Sequence, residues 1–167
     1  MERTLIQPLI AVLVSSVIAF RAYKKKSLDV SGAFFGFLVM SAHLALNVRC
    51  GAILLAFFFS SSKLTKVGAD KKHKSDADFK EGGQRNWVQV LCNSAIATVL
   101  IVVIWYLVGW EDKCLDSKES TLVTSLLGGV IGHYACSNGD TWSSEIGVLS
   151  DAQPRLITTL KVKGVII

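Results

Sequence analysis

The segment from Asn138 to Glu145 places two carboxylates, Asp140 and Glu145, at the end of an uncharged apolar stretch. Acidic side chains near membrane depth are costly, and they usually have a pairing partner or a functional role. One or two carboxylates together with substrate phosphates are a common way to hold Mg²⁺. These residue types therefore indicate a candidate site for a metal ion and a phosphate ligand.

A structural explanation of the same two acids stays open. Asp140 would serve as the cap of a helix that begins at Thr141. Glu145 has no capping-box partner, because the residue three positions earlier is Trp142. In an unbroken helix, side chains five residues apart point about 140° away from each other. The two carboxylates therefore converge only if the helix breaks near Gly139; otherwise each serves a different partner.

A polar stripe begins at Arg85 and continues through Gln89 and Asn93. The spacing i, i+4, i+8 puts the three side chains on one face of a helix. In lipid, such a stripe should face other helices or a cavity, so interhelical hydrogen bonding and phosphate binding both explain it. Gly82 and Gly83, just upstream, would leave backbone amides near the helix start open to an anion.

Histidines and cysteines give weaker signals. His43 and His133 lie in apolar runs and are interpreted as buried, hydrogen-bonded side chains rather than ligands. The four cysteines show no C-x-x-C spacing, which argues against a zinc or dithiol redox site. Cys50, Cys92 and Cys136 lie in or beside apolar runs and are predicted to be small buried thiols.

The composition indicates that membrane helices must position these residues. Hydrophobic residues make up 51% of the 167 positions and charged residues only 19%. No charged residue lies between Arg85 and Glu111, or between Glu119 and Asp140, and both stretches have about the length that spans a bilayer. Disorder, collagen and a disulfide framework are excluded. The net charge of +5 comes from lysines that border the apolar runs, so it indicates membrane orientation and no nucleic-acid partner.

The pattern predicts an all-α, multi-pass transmembrane helical bundle of about five helices, with residues 1–167 forming a single, incomplete membrane domain. Gly32 and Gly36 form a small-x-x-x-small pair that suits close helix packing. The predicted helices are 4–20, 30–47, 50–62, 87–110 and 120–139, with a polar loop at 63–85 and a polar tail at 140–167.

The distribution of basic residues predicts the orientation of these helices. With five spans, the segments 21–29, 63–85 and 140–167 share one side, and they carry fourteen of the eighteen lysines and arginines. Because basic residues concentrate on the cytosolic side of membrane proteins, this side is predicted to be cytosolic. The amino-terminal segment lacks the composition of a transit peptide, which leads us to expect the endoplasmic reticulum.

Four ordered motifs resemble the transmembrane protein 19 family, and the resemblance covers about residues 24–160. The motifs are KKKSLDVSGA at 24–33, SSSKLTK at 60–66, EGGQRNWVQV at 81–90, and GDTWSSE at 139–145 followed by PRLITT at 154–159. That family includes plant and cyanobacterial phytyl-phosphate kinases, which convert an isoprenyl monophosphate to the diphosphate with a nucleoside triphosphate, expected to be CTP. Such chemistry depends mainly on positioning and on charge neutralisation of the transferred group.

The resemblance implies roles for the residues introduced above. Asp140 and Glu145 would be the catalytic residues and would lie at an Mg²⁺–nucleotide site. The resemblance implies phosphate contacts for four basic residues, which are Lys24, Lys25, Lys26 and Arg85. The implied partners are membrane lipid and an isoprenyl phosphate substrate.

The chain departs from the family pattern after Thr159, where the family continues into several more membrane helices. We therefore expect a chain truncated after about residue 160. The alternative function is a non-catalytic membrane protein that packs against, or regulates, a full-length sibling.

Overall fold

In the computed structural model, the five apolar runs form helices, and one run is divided in two. The structure describes residues 3–70, 72, 83–110, 113–150, 155 and 158–159, with side chains from Ile6 onwards. The predicted all-α class is confirmed, since this part of the chain is built from six helices and contains no strand; a parallel backbone bridge joins Leu28 and Arg85. The helices are α1 (Arg3–Lys24), α2 (Val30–Leu46), α3 (Val48–Lys66), α4 (Trp87–Cys92), α5 (Ala95–Val108) and α6 (Thr121–Gly147).

The first helix is longer than the predicted 4–20 and ends in a tight turn. The Ser27 amide donates to the carbonyl of Ala22 (2.9 Å), and the Lys26 amide donates to that of Tyr23 (3.0 Å). This is the Schellman arrangement, which needs a left-handed residue just past the helix. Lys26 takes that conformation, with φ of 54°.

The second helix lies close to the predicted 30–47 and is capped at both ends. Asp29 accepts a hydrogen bond from the Gly32 amide, and Asn47 ends α2. Asn47 also accepts from the Cys50 amide and so starts α3. Asn47 thus makes the turn between α2 and α3, which the sequence predicts near Arg49. The third helix runs to Lys66, beyond the predicted 50–62, so the first part of the predicted loop 63–85 is helical.

The predicted span 87–110 is wrong as a single helix, because it breaks between α4 and α5. The Asn93 amide group donates to the Gln89 carbonyl (2.8 Å), and the Ser94 hydroxyl donates to the Val90 carbonyl (2.6 Å). Side chains that bond the preceding turn in this way compete with the helical ladder. The Asn93 carbonyl instead accepts a hydrogen bond from Nε2 of His133 on α6 (3.0 Å).

The last predicted helix, 120–139, is too short, because α6 continues through the polar segment to Gly147. These polar residues lie within the helix, where the hydroxyls of Ser143 and Ser144 donate back to the Asp140 carbonyl (3.0 and 2.8 Å). A break near Gly139 is therefore not observed, and the predicted polar tail begins as helix.

The packing of the helices places the connecting segments at two opposite ends of a bundle. Helix α2 packs on α1, α3, α4 and α5, and α6 packs on α3 and α5. At one end, Gln7 and Trp110 both donate to the Ala45 carbonyl, and Arg49 donates to that of Lys113. The other end holds the carboxyl ends of α1, α3 and α6. This grouping agrees with the one predicted from the basic residues.

The outward surface of the bundle is apolar. Helices α1 and α3 each contain a 19-residue segment long and apolar enough to cross a membrane, and α2 and α5 are shorter apolar helices. On α6, Gly129 approaches α5, whereas a Cβ at Gly128, Gly132 or Gly139 would meet nothing within 4 Å. One face of the small-residue helix is therefore open in this chain.

The cysteine prediction is correct at one position only. Cys50 is buried in the core, whereas Cys92, Cys114 and Cys136 are exposed. All three lie on outer surfaces. Cys92 and Cys136 belong to apolar runs, but these two positions face away from the neighbouring helices.

A buried histidine–tyrosine pair ties α2 to α6, as expected for hydrogen-bonded histidines. Because Nδ1 of His43 faces the Val39 carbonyl (2.9 Å), it carries the proton, and Nε2 accepts from the Tyr134 hydroxyl (2.7 Å). Both side chains are fully buried.

Replacing Tyr134 with phenylalanine should lower the free energy of unfolding by about 1–3 kcal/mol, because it leaves a buried acceptor without its donor. Thermal unfolding in detergent micelles, followed by circular dichroism, measures the loss. Tyr106→Phe is the control, since Tyr106 is 83% exposed and a surface change should stay within about 0.5 kcal/mol. Equal losses in the two variants would contradict the prediction.

Candidate functional site

A short backbone pairing fixes Arg85 beside the start of α2. The Asp29 amide donates to the Arg85 carbonyl, and the Arg85 amide donates to the Ser27 carbonyl, both at 3.1 Å. These bonds form the parallel bridge between Leu28 and Arg85. The segment lies so close to α2 that a Cβ at Gly32 would be 2.1 Å from the Arg85 carbonyl oxygen. The lack of a side chain at Gly32 therefore allows the extended segment at Arg85 to approach α2 closely. The spacing of Gly32 and Gly36 predicted close packing with another helix instead.

The Arg85 side chain belongs to a polar cluster at the same end of the bundle. Its Nη2 donates to the hydroxyl of Thr65 on α3 (3.4 Å), and that hydroxyl donates to Oε1 of Glu145 on α6 (2.7 Å). Nζ of Lys72 donates to Oε2 of Glu145 at 2.6 Å. We call these four residues, Arg85, Thr65, Lys72 and Glu145, the polar cluster.

Lys72 also terminates α3. Its Nζ donates to the carbonyls of Leu64 (3.0 Å) and Thr65 (3.2 Å), which lie in the last turn of that helix. A cation at this position satisfies free carbonyls and interacts favourably with the helix dipole. The Lys72 side chain is 6% exposed and that of Glu145 is 22% exposed, so the ion pair is largely removed from water.

The electrostatics of the polar cluster favour an anionic ligand. Burial lowers the pKa of Arg85, and the charge of Glu145 opposes that shift. An arginine stays protonated in proteins, so the polar cluster holds two cations against one carboxylate. A phosphate would supply the negative charge that the cluster lacks, and the guanidinium geometry suits its oxygens.

The two predicted catalytic acids do not come together. Asp140 is exposed and Glu145 is bound in the polar cluster, and the unbroken helix between them separates their directions by about 140°. Both oxygens of Glu145 already face donors, and the described residues contain no group of three or more His, Cys, Asp or Glu that could hold a metal ion. This arrangement does not fit Mg²⁺ held by the acid pair.

The predicted phosphate-contacting lysines have three different positions. Lys24 places its Nζ 4.8 Å from the centre of the Phe20 ring, on the outside of α1. Lys26 makes the left-handed turn described above. The Lys25 carbonyl accepts a hydrogen bond from Nζ of Lys66 on α3 (2.7 Å). Lys25 also lines the space between α1 and α3. Of the three, Lys25 is the one placed beside a neighbouring helix.

The polar stripe does not form a continuous helical face. Arg85 precedes α4, whose cap is Asn86. Gln89 closes a capping box, in which its side chain accepts from the Asn86 amide (3.1 Å) and its own amide donates to Asn86 Oδ1 (3.0 Å). Asn93 bonds the end of α4. Gln89 and Asn93 thus satisfy backbone groups, and Gly82 lies outside the described residues.

Two residues of the polar cluster were not predicted. Thr65 belongs to the SSSKLTK motif, but its type and spacing gave no reason to separate it from the neighbouring serines. Lys72 lies in the segment predicted to be a polar loop, where it is one of seven basic residues. Its contact with Glu145 joins positions 73 residues apart, which no local pattern indicates.

Comparison of the sequence with known proteins finds membrane proteins among the relatives of this chain. A family profile described as "Integral membrane protein DUF92" matches residues 13–165. "Protein PGR" of Arabidopsis thaliana is 70% identical over 151 residues, which cover 90% of this chain and 52% of that protein. An uncharacterized membrane protein of Methanocaldococcus jannaschii is 29% identical over 167 residues, covering 95% of this chain and 60% of that protein. No solved structure matches the chain.

Proposed function

The chain belongs to the DUF92 family of integral membrane proteins, and we propose that it forms the phosphate-binding part of a membrane kinase for lipid monophosphates. It spans about half the length of the Arabidopsis relative, and the kinase activity, its substrates and its partners are proposals. The observation that carries the proposal is the polar cluster, in which Arg85 and Lys72, both from the connection between α3 and α4, meet Thr65 and Glu145 at one end of the bundle.

The polar cluster suits phosphoryl transfer because catalysis of this reaction depends mainly on positioning the phosphates and neutralising their charge. An oxygen of the lipid monophosphate attacks the γ-phosphorus of a nucleoside triphosphate, expected to be CTP. A new P–O bond forms, and the bond to the β-phosphate oxygen breaks, which releases the nucleoside diphosphate. Arg85 would neutralise charge on the phosphates, and Lys72 would add a second cation beside them. Mg²⁺ remains a prediction from the family resemblance.

The proposal includes an orientation for the membrane protein. The end that holds the polar cluster would face the cytosol, where nucleotide is available, because most basic residues lie there. The chain would cross the membrane several times. The endoplasmic reticulum remains the proposed location.

A second candidate function is a non-catalytic membrane subunit. The observation in its favour is the open face of α6, where Gly128, Gly132 and Gly139 have room for another helix. Small residues of this kind let helices approach closely in lipid. In this case the chain would bind a longer relative and would not transfer phosphate itself.

The direct test is transfer of phosphate from γ-labelled CTP to farnesyl monophosphate in membranes that contain this chain. We expect labelled farnesyl diphosphate. Arg85→Gln should reduce the rate by roughly tenfold to a hundredfold, because a hydrogen bond to a charged group contributes about 1.5–3 kcal/mol. Lys118→Gln, at the opposite end of the bundle, is the matched loss of one charge, and thermal unfolding of each variant checks its fold.

A longer family member serves as a second source of activity. Transfer by the longer protein alone, with stable association of this chain, would replace the kinase proposal with the non-catalytic subunit. No transfer by either protein would contradict the proposed chemistry.

A further inference from the structure

A cleft of about 580 Å³ lies between the carboxyl-terminal halves of α1 and α3. Both helices pack on α2, and the cleft occupies the space between them. Its deeper part is apolar and is lined by Val17 and Ile18 of α1 and by Phe58 and Phe59 of α3. The volume falls within the range of about 300–1,000 Å³ that is typical of small-molecule sites.

The end of the cleft nearest the helix termini is basic. Arg21 and Lys25 of α1 and its following turn line the cleft opposite Lys63 and Lys66 of α3, and no acidic residue is among the described residues that line it. The hydroxyl of Ser62, also in the lining, is buried and has no hydrogen-bond partner among the described residues. Nζ of Lys66 uses one donor on the Lys25 carbonyl, and an ammonium group has three. The basic end therefore offers charge and donors.

The spacing along each helix stacks the basic end directly on the apolar part. Val17 and Arg21 are four residues apart on α1, and Phe59 and Lys63 are four residues apart on α3. Side chains at this spacing lie one above the other on the same face. A ligand with an anionic head and one apolar chain matches this order along the cleft, with its head at the membrane surface.

The cleft adjoins the polar cluster through Ser27. Ser27 lines the cleft, and its carbonyl accepts the hydrogen bond that fixes Arg85. On the α3 side, Lys66 lines the cleft and directly follows Thr65. An anionic head in the basic end would thus lie beside the residues proposed to neutralise the transferred phosphate.

We propose that this cleft binds the acceptor lipid, a single-chain phosphate monoester, and that Arg21, Lys25, Lys63 and Lys66 hold its phosphate. The assignment of the ligand as acceptor rests on the proposed function. A phosphate monoester carries about −1.5 to −2 charges at pH 7, whereas the phosphodiester of a membrane phospholipid carries one, so four cations favour the monoester. The apolar chain would enter sideways from the membrane between α1 and α3.

Binding is tested with farnesyl monophosphate and the purified chain in detergent, by native mass spectrometry. We expect one bound molecule, and at least thirtyfold weaker binding to the Lys25→Gln/Lys63→Gln variant. Lys113→Gln/Lys118→Gln is the matched control, because it removes the same charge from residues at the opposite end of the bundle, and it should bind as the unaltered chain does. Ile18→Trp, which fills the apolar part and keeps every cation, should also weaken binding at least tenfold.

The comparison ligands identify what the cleft recognises. Farnesol tests whether the phosphate group is required for binding, and inorganic phosphate tests whether the apolar chain of the lipid is required. Dioleoyl phosphatidylglycerol tests whether any anionic lipid binds. Equal binding of farnesol or phosphatidylglycerol would overturn the proposal, and so would unchanged binding to the Lys25→Gln/Lys63→Gln variant.

Transfer assays with the same variants separate this inference from the proposed function. Binding that follows the expected pattern without any transfer would support the cleft and contradict the kinase. Transfer by Lys25→Gln/Lys63→Gln with an unchanged KM for farnesyl monophosphate would support the kinase and overturn the cleft as the acceptor site.

Discussion

Replacing Glu145 with glutamine should destabilise the bundle by about 3 kcal/mol, the largest loss expected from a change that keeps the side-chain shape. The glutamine still accepts a hydrogen bond from Thr65, but Lys72 loses its counter-charge while its side chain remains 6% exposed. Removal of one partner from a buried ion pair typically costs about 3–5 kcal/mol, and the partial exposure of Glu145 favours the lower end of that range. Denaturant-induced unfolding in mixed micelles measures the loss.

The ion pair can be separated from the other effects of this substitution by a double-mutant cycle. Lys72→Met alone leaves Glu145 without its cation, whereas Lys72→Met combined with Glu145→Gln removes both charges. We expect the double variant to be more stable than the sum of the two single losses predicts, because neither charge remains unpaired. Asp140→Asn is the control on the same helix, with an expected change within about 0.5 kcal/mol because Asp140 is exposed. A larger loss for Asp140→Asn than for Glu145→Gln would refute this account of α6.

Replacing Gly32 with alanine should displace Arg85 and slow phosphate transfer. The added Cβ would lie 2.1 Å from the Arg85 carbonyl oxygen and 3.1 Å from its carbonyl carbon. These are backbone atoms, so the extended segment must move, and the bridge to Leu28 is lost with it. Overpacking of this kind costs about 1–3 kcal/mol. We expect transfer to fall roughly tenfold to a hundredfold, as for Arg85→Gln, while helical content, measured by circular dichroism, is kept.

Two other glycines provide matched controls for Gly32→Ala. A Cβ at Gly36 would meet only the end of the Leu28 side chain at 3.3 Å, and one at Gly128 would meet nothing within 4 Å. Gly36→Ala should therefore keep transfer near its initial rate. Gly128→Ala should raise stability by about 0.5–1 kcal/mol, the usual gain of alanine over glycine inside a helix. Similar losses of transfer in all three variants would show that helix packing, not the position of Arg85, is affected.

The sequence predicted the helical runs well because each is a local property of composition. The grouping of the loops followed from basic residues, and the structure agrees. The break between α4 and α5 was missed because Asn93 and Ser94 are tolerated polar residues in a span. His133, whose Nε2 donates to the Asn93 carbonyl, lies 40 residues away from Asn93 on α6. The length of α6 was missed for a similar reason, since Glu145 is held by residues from α3 and the loop beyond it.

The candidate site was predictable in part. The family resemblance selected Arg85 and Glu145, and Thr65 joins them in the structure. It also paired Glu145 with Asp140, which needed a helix break, whereas α6 is continuous from Thr121 to Gly147. Lys72 gave no signal, because a basic residue in a polar loop acquires its role only when the loop folds back on α3.

The caps of α2 have a consequence for the surrounding lipid. Asp29 and Asn47 limit this helix to 17 residues, or about 25 Å, whereas a typical hydrocarbon layer is about 30 Å thick. One side of α2 faces outward through Val30, Phe34 and Leu38, so lipid would meet this short helix directly in the proposed multi-pass arrangement. Hydrophobic mismatch of about 5 Å would thin the adjacent bilayer at a cost of fractions of a kcal/mol per ångström. In that arrangement the protein would be better matched to a thin membrane than to a thick one.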